Sequence, residues 1–220
     1  MLQKTEQITI SPPRFETIQV IIRGIAPLVI ERFSKKAELM MKMAEGKSSS
    51  SKKTRKARDY DAEAEDARYR SEEGWEGVNV AAFRAACISA CRLIGFKMTI
   101  AKLSLFVEAD GYDKNDGIPM IRVYGESRTF TQHTRNATGV VDVRSRPQYR
   151  DWTCRLRIKF DRDQLSPEGV INLISRAGQQ VGIGAGRPDS KQSAGCGWGT
   201  FEIASSDDEK TVMETFGMAR

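Results

Sequence analysis

With 220 residues, 40% hydrophobic and 29% charged, the chain is long enough to bury a substantial core, as one large domain or one domain with long insertions. No apolar run reaches the length of a membrane span, and residues 1–13 lack the apolar centre of a signal peptide, so the expected setting is cytoplasmic with no membrane partner. A net charge of +6 favours a polyanionic partner, usually nucleic acid and sometimes an anionic membrane surface, with a merely soluble basic domain as the plain alternative.

Residues 1–14 are polar, end in Pro12-Pro13 and read as an arm. From Phe15 to Ile25 β-branched residues crowd together and predict the first strand; Gly24 and Pro27 break it, and Leu28-Val29-Ile30 resume it. Ser34 predicts a helix cap, with Ala37, Met40, Met41 and Ala44 on one face and Gly46 at the end. From Lys47 to Arg58 the apolar period vanishes, and Lys52, Lys53, Arg55 and Lys56 lie in a serine- and lysine-rich basic loop. Two readings of it stay open: a solvated insertion, and a nucleic-acid arm that orders on binding. Asp59 to Glu73 mixes acid and base and predicts a solvated helix.

Asn79 predicts the cap of a mostly buried helix carrying Phe83, Ala86, Cys87, Ala90, Cys91 and Ile94, ended by Gly95. Lys97 to Glu108 predicts a strand with Leu103, Leu105 and Val107 on one face. Asp110, Asp113 and Asp116 miss the spacing of a calcium loop, so a hairpin turn is expected before a return strand, Pro119–Tyr124. Cys87, Cys91, Cys154 and Cys196 sit among apolar neighbours and suit reduced core positions; with a single His in the chain, no zinc site is expected.

Arg128 to Asp151 predicts a long hairpin projecting from the sheet. Arg128, Arg135, Arg144, Arg146 and Arg150 are interleaved with Phe130, Tyr149 and Trp152. Arginine supplies phosphate contacts, while aromatic rings such as Tyr149 offer stacking surfaces for bases. The alternative is an oligomer-contact hairpin whose arginines pair with acids of a neighbour.

The strand that follows has strict alternation: Trp152, Cys154, Leu156, Ile158 and Phe160 are apolar, while Thr153, Arg155, Arg157 and Lys159 form a positive face. Ser166 predicts the next helix cap, Pro167 its first position, Val170, Leu173, Ile174 and Ala177 its buried stripe, and Gly178 its left-handed end. Gly182, Gly184 and Gly186 then precede Arg187-Pro188. Their spacing is not that of a dinucleotide site or a P-loop, and no cofactor is expected. They read either as backbone free to approach another backbone, with exposed amide donors and Arg187 at the edge, or as an ordinary turn. Gly195–Phe201 predicts a closing strand, and residues 204–220 a tail that frays or docks.

Strand, helix, glycine-rich turn and strand make half of a ferredoxin-like unit. The run Gly-x-Gly-x-Gly-Arg-Pro from Gly182, followed by Gly195-Cys196-Gly197-Trp198-Gly199-Thr200-Phe201, resembles the glycine-rich C-terminal loop of the RAMP superfamily, the ferredoxin-like proteins of CRISPR effector complexes. Ile21–Leu28 resembles their first strand and its exit. The likeness covers the last third of the chain and, more loosely, the first strand. In shape it resembles the backbone subunit, which polymerises along single-stranded RNA and carries a thumb-like hairpin between protomers.

The resemblance implies a ferredoxin-like (RRM-like) α+β fold over residues 1–203: an antiparallel sheet with helices on one face. A long basic insertion is expected at about 46–75, and the projecting hairpin, as thumb, at about 126–151. It implies a non-catalytic protein that binds single-stranded nucleic acid, RNA favoured, and self-associates along it. A viral structural or assembly protein in the host cytoplasm, whose hairpin and tail hold neighbouring subunits, is the second reading. A nuclease using His133 or the acids near Asp113 is a third, for which the sequence offers no triad, metal cluster or paired carboxylates.

Overall fold

The computed structural model describes residues 10–32, 59–135, 141–190 and 195–218, a mixed α/β chain with antiparallel sheets. The helix expected after Ser34 and the basic run with Lys52, Lys53, Arg55 and Lys56 lie outside the described residues. The first half runs β1 (Phe15–Gly24), β2 (Leu28–Val29), α1 (Tyr60–Asp66), β3 (Tyr69–Arg70), β4 (Glu76–Asn79), α2 (Val80–Ala90), α3 (Met98–Ser104) and β5 (Leu105–Glu108). Then come β6 (Gly111–Tyr112), β7 (Pro119–Arg122), β8 (Ser127–Arg135), β9 (Val141–Tyr149), β10 (Thr153–Asp161), α4 (Pro167–Arg176), β11 (Phe201–Ile203) and α5 (Ser206–Thr215).

The central sheet has the order β11-β1-β10-β5, with every neighbouring pair antiparallel. Its register follows from the alternation in β10. Cys154, Leu156 and Ile158 stand opposite Ile22, Val20 and Ile18, so two apolar rows share one face. The helices α2 and α4 pack on that face, and Phe83, Leu173 and Ile174 join the same core. The other face carries Thr17, Gln19, Arg155, Arg157 and Lys159.

Local signals explain both helices. Asn79 accepts a hydrogen bond from the Ala81 amide (2.8 Å), and Gly95 ends the following turn at φ 68°. Ser166 accepts from the Gly169 amide (3.0 Å), and Pro167 opens α4. The end of α4 differs from expectation. The chain continues through a wide π turn, Ala177–Val181, in which Gly182 N–H donates to the Ala177 carbonyl (2.8 Å). Gly182, at φ 71° and ψ 176°, ends the turn in an extended positive-φ conformation; Gly178 is needed because a Cβ there would strike the Phe201 carbonyl.

Four other expectations are corrected. Lys97–Ser104 does not extend the strand: Met98–Ser104 is helical, and Leu103 is 75% exposed. The cause is tertiary, since the Arg84 guanidinium donates to the carbonyls of Lys102 and Leu105 at the end of that turn. The closing strand is confined to Phe201–Ile203, because Gly195, Gly197 and Gly199 all have positive φ. Cys196 is exposed, unlike the buried Cys87, Cys91 and Cys154. The charged stretch after residue 58 yields only a short helix, α1, capped by Asp59 and burying Ala64.

Two smaller sheets complete the architecture, β2-β9-β8 and β3-β4-β7-β6. The C-terminal stretch forms α5, capped by Ser205, and it docks through buried Val212 and Met218. Among the described residues no helix is long and apolar enough to cross a membrane.

Candidate nucleic-acid interface

The ribbon β8–β9 pairs from Ser127 opposite Tyr149 to Arg135 opposite Val141. Residues opposite each other in an antiparallel pair share a face. Arg128 with Gln148, Phe130 with Arg146, and Gln132 with Arg144 therefore lie on one face. Arg128 donates to Gln148 Oε1 (2.9 Å from Nε). Arg144 and Arg146 converge on a single oxygen, Glu31 Oε1, at 3.1 and 2.5 Å. Arg144 and Arg146 thus share the Glu31 carboxylate, and Arg128 lies on the same ribbon face, held by Gln148.

That face meets the glycine-rich loops. Phe130 packs edge-on against Trp198, with ring centroids 5.5 Å apart. Trp198 in turn lies against Gly186, where a Cβ would come within 2.6 Å of the indole. Gly182, Gly184 and Gly186 all have positive φ, and a Cβ at Gly184 would lie 2.5 Å from the Val29 carbonyl. The amide donors are used internally: Ala185 N–H donates to Val29 (2.9 Å) and Ile183 N–H to Gly199 (3.0 Å). Close backbone approach is observed at these glycines, but the expectation of exposed amide donors is corrected, since the amides of Gly182, Ile183 and Ala185 are taken by carbonyls of the chain. Arg187 folds back to donate to the Gly184 carbonyl (3.0 Å).

The ribbon's root is packed, not solvated. Ser145, Gln148 and Tyr149 are buried. Tyr149 is no stacking surface: its ring is enclosed and its hydroxyl donates to Glu76. Burial pushes the Tyr149 hydroxyl pKa up, and the charge of Glu76 adds to the shift. The Glu76 carboxyl is pushed up by burial, but hydrogen bonds from Tyr149 and Ser127 and the charges of Arg68 and Arg70 outweigh this and lower it.

A second buried cluster had no signal in the sequence. Arg32 donates to Asp113 Oδ1 (2.9 Å), to Asp116 Oδ2 (2.5 Å) and to the Arg68 carbonyl (2.9 Å). Asp113 also accepts from the amides of Arg70 (3.0 Å) and Asn115 (2.9 Å). Asp113 and Asp116 therefore do more than shape a turn; they hold the segment after β2 against the sheet β3-β4-β7-β6.

Of the other predicted contact residues, Arg150 is exposed just beyond β9 and Arg135 stands at the far end of the ribbon. The positive face of β10 is tied to acids. Arg157 lies 3.4 Å from Asp110 and 3.9 Å from Glu108. Lys159 sits 5.0 Å from the centre of the Phe15 ring, which packs edge-on with Phe106 at 5.9 Å. The structure thus joins Arg128, Arg144, Arg146 and the glycine-rich loop at one place, through Phe130 and Trp198. No protein-family model and no curated protein matches the chain.

Proposed function

We propose that this is a ferredoxin-like, non-catalytic protein of the RAMP type that binds single-stranded nucleic acid, RNA favoured, and self-associates along the strand. The fold reading is supported by the central sheet. Taken in chain order, its strands lie fourth, first, third, second, with α2 between the first pair, α4 between the second, and both helices on one face. The functional reading rests on one observation, the gathering of Arg128, Arg144 and Arg146 on one ribbon face beside Trp198. Guanidinium groups spaced along a strand suit successive phosphates.

The test replaces Arg128, Arg144, Arg146 and Arg150 by Gln in the full chain. Binding of a single-stranded oligonucleotide, measured at three salt concentrations, weakens by orders of magnitude, and the log–log salt slope falls by roughly 0.7 per lost phosphate contact. An unchanged slope overturns the assignment. A second reading, an assembly protein held by subunit contacts, is favoured by the exposed Leu93, Ile94, Leu103 and Ile171. Under it, light scattering records lost assembly in variants of those residues, and the arginine variant binds oligonucleotide no differently from wild type.

A further inference from the structure

We infer that the cleft at the root of the ribbon is a stacking site for one unpaired nucleobase of the bound strand. This rests on the single-strand reading and adds a site to it. The cleft, of about 470 Å³, is walled by Trp75, Tyr124 and Phe216, with Arg122, Glu126 and Ser127 at its rim. That volume lies within the usual range of small-ligand sites, roughly 300–1,000 Å³.

The aromatic wall is held in place by backbone. Gly77 of β4 stands opposite Arg122 of β7, and Gly111 of β6 opposite Met120, so the two glycines flank β7. A Cβ at Gly77 would lie 3.0 Å from Trp75 Cζ3, and one at Gly111 would lie 2.7 Å from Cζ2. The indole therefore spans β7 in room that only glycine leaves. Its Nε1 donates to Glu73 Oε2 (2.6 Å), which fixes the ring's rotation. Tyr124 is pinned by paired backbone hydrogen bonds with Thr153 (2.9 and 3.0 Å), and the Arg122 guanidinium lies 4.6 Å from its ring centre. Flat rings and a guanidinium plane stack on the π-face of any base. Glu126 offers an acceptor for a base N–H.

Position links the cleft to the arginines. Ser127 lines it, and the next residue, Arg128, belongs to the phosphate-binding face. β8 is the outer strand of its sheet, so a bound backbone can cross its open edge from one side to the other. The cleft also supplies what the ribbon lacks, since Tyr149 is enclosed and Phe130 is spent on Trp198.

The experiment compares two probes of about ten nucleotides on the full chain: oligoadenylate, and an abasic sugar–phosphate strand of equal length. Trp75→Leu and Tyr124→Leu each raise Kd for oligoadenylate about tenfold and leave the abasic strand unchanged, while Trp75→Phe retains binding. Arg144→Gln with Arg146→Gln weakens both probes. If Trp75→Leu fails to fold, Phe216→Ala, from the far wall, carries the test. Wild-type affinity for oligoadenylate in the cleft variants, with the arginine variant still impaired, overturns the stacking site and leaves the phosphate face standing. Failure of the wild type to bind either probe overturns both.

Discussion

Glu31 and Arg32 are neighbours in the chain, yet they serve two arginine–carboxylate clusters of opposite character. Glu31, 47% exposed, accepts from Arg144, 43% exposed, and from Arg146, whose side chain is 12% exposed. The Arg32 side chain is 5% exposed, and it meets an Asp113 side chain that is fully buried. The chemistry is the same and the solvent is not. In the buried cluster, removing Asp113 leaves the Arg32 guanidinium out of water with only Asp116 to balance it, so the pair is a structural commitment. In the Glu31–Arg144 pair, water and salt screen both charges, the pair adds little stability, and one oxyanion can be exchanged for another. Burial, more than residue type, separates the scaffold from the candidate binding face.

The sharpest way to break this contrast is Asp113→Ala. It leaves Arg32 with Asp116 as its carboxylate partner and takes the acceptor from the Arg70 and Asn115 amides, and it is expected to lower unfolding free energy by about 3 kcal/mol in chemical denaturation. Asp113 also gives the contrast a pH signature. Burial pushes its carboxyl up, but the amides of Asn115 and Arg70 and the Arg32 guanidinium outweigh this and hold it below the usual carboxylate range. A lowered folded pKa means the added stability is present above the ordinary value, near 4, and is lost as pH falls through the lowered one. Asp113→Asn should remove this share of the acid-induced loss, read as a shallower fall of Tm with pH below about 4.

Of similar size is Gly184→Val, which forces a Cβ to within 2.5 Å of the Val29 carbonyl at φ 74°. A loss of about 3 kcal/mol is expected, again by denaturant titration; full tolerance would mean that the loops are less closely seated than they look. By contrast Arg144→Gln with Arg146→Gln should move stability by less than about 1 kcal/mol while reducing the salt slope of oligonucleotide binding by about 1.4. The smallest effect sharpens the comparison most. Glu31→Gln, which removes the competing carboxylate charge, should raise single-strand affinity by a few-fold at low salt with little change in Tm. A fall in affinity would make Glu31 an organiser of the arginines instead of their competitor.

The elements legible in the sequence are those whose cause is local. The period of two in β10, the Asn79 and Ser166 caps and the glycine-rich loops each carry their own signal, and each corresponds to an observed feature. What was illegible depends on residues far apart. The Met98–Ser104 helix is closed by Arg84 from α2, and Arg32 finds Asp113 across 81 positions. Neither pairing leaves a trace in spacing. Tyr149 looked like a stacking ring because nothing local indicates that Glu76 waits for its hydroxyl. The Trp75 cleft had a faint signal, since Gly77 and Gly111 are isolated glycines in strands, which often mark a close approach.

The ribbon leaves the core through a neck with no slack. A Cβ at Gly125 would strike the Asp151 carbonyl, and one at Gly24 would fall into the ring of the next residue, Trp152. Trp152 is fully buried, donates to the Ala26 carbonyl (2.9 Å) and rests edge-on against Phe201, which touches Phe83 of α2. The neck of the ribbon is therefore seated on a buried indole of the core. The hinge of the ribbon is thus shared with the contact between the central sheet and its helices, so a smaller residue at 152 would loosen both at once.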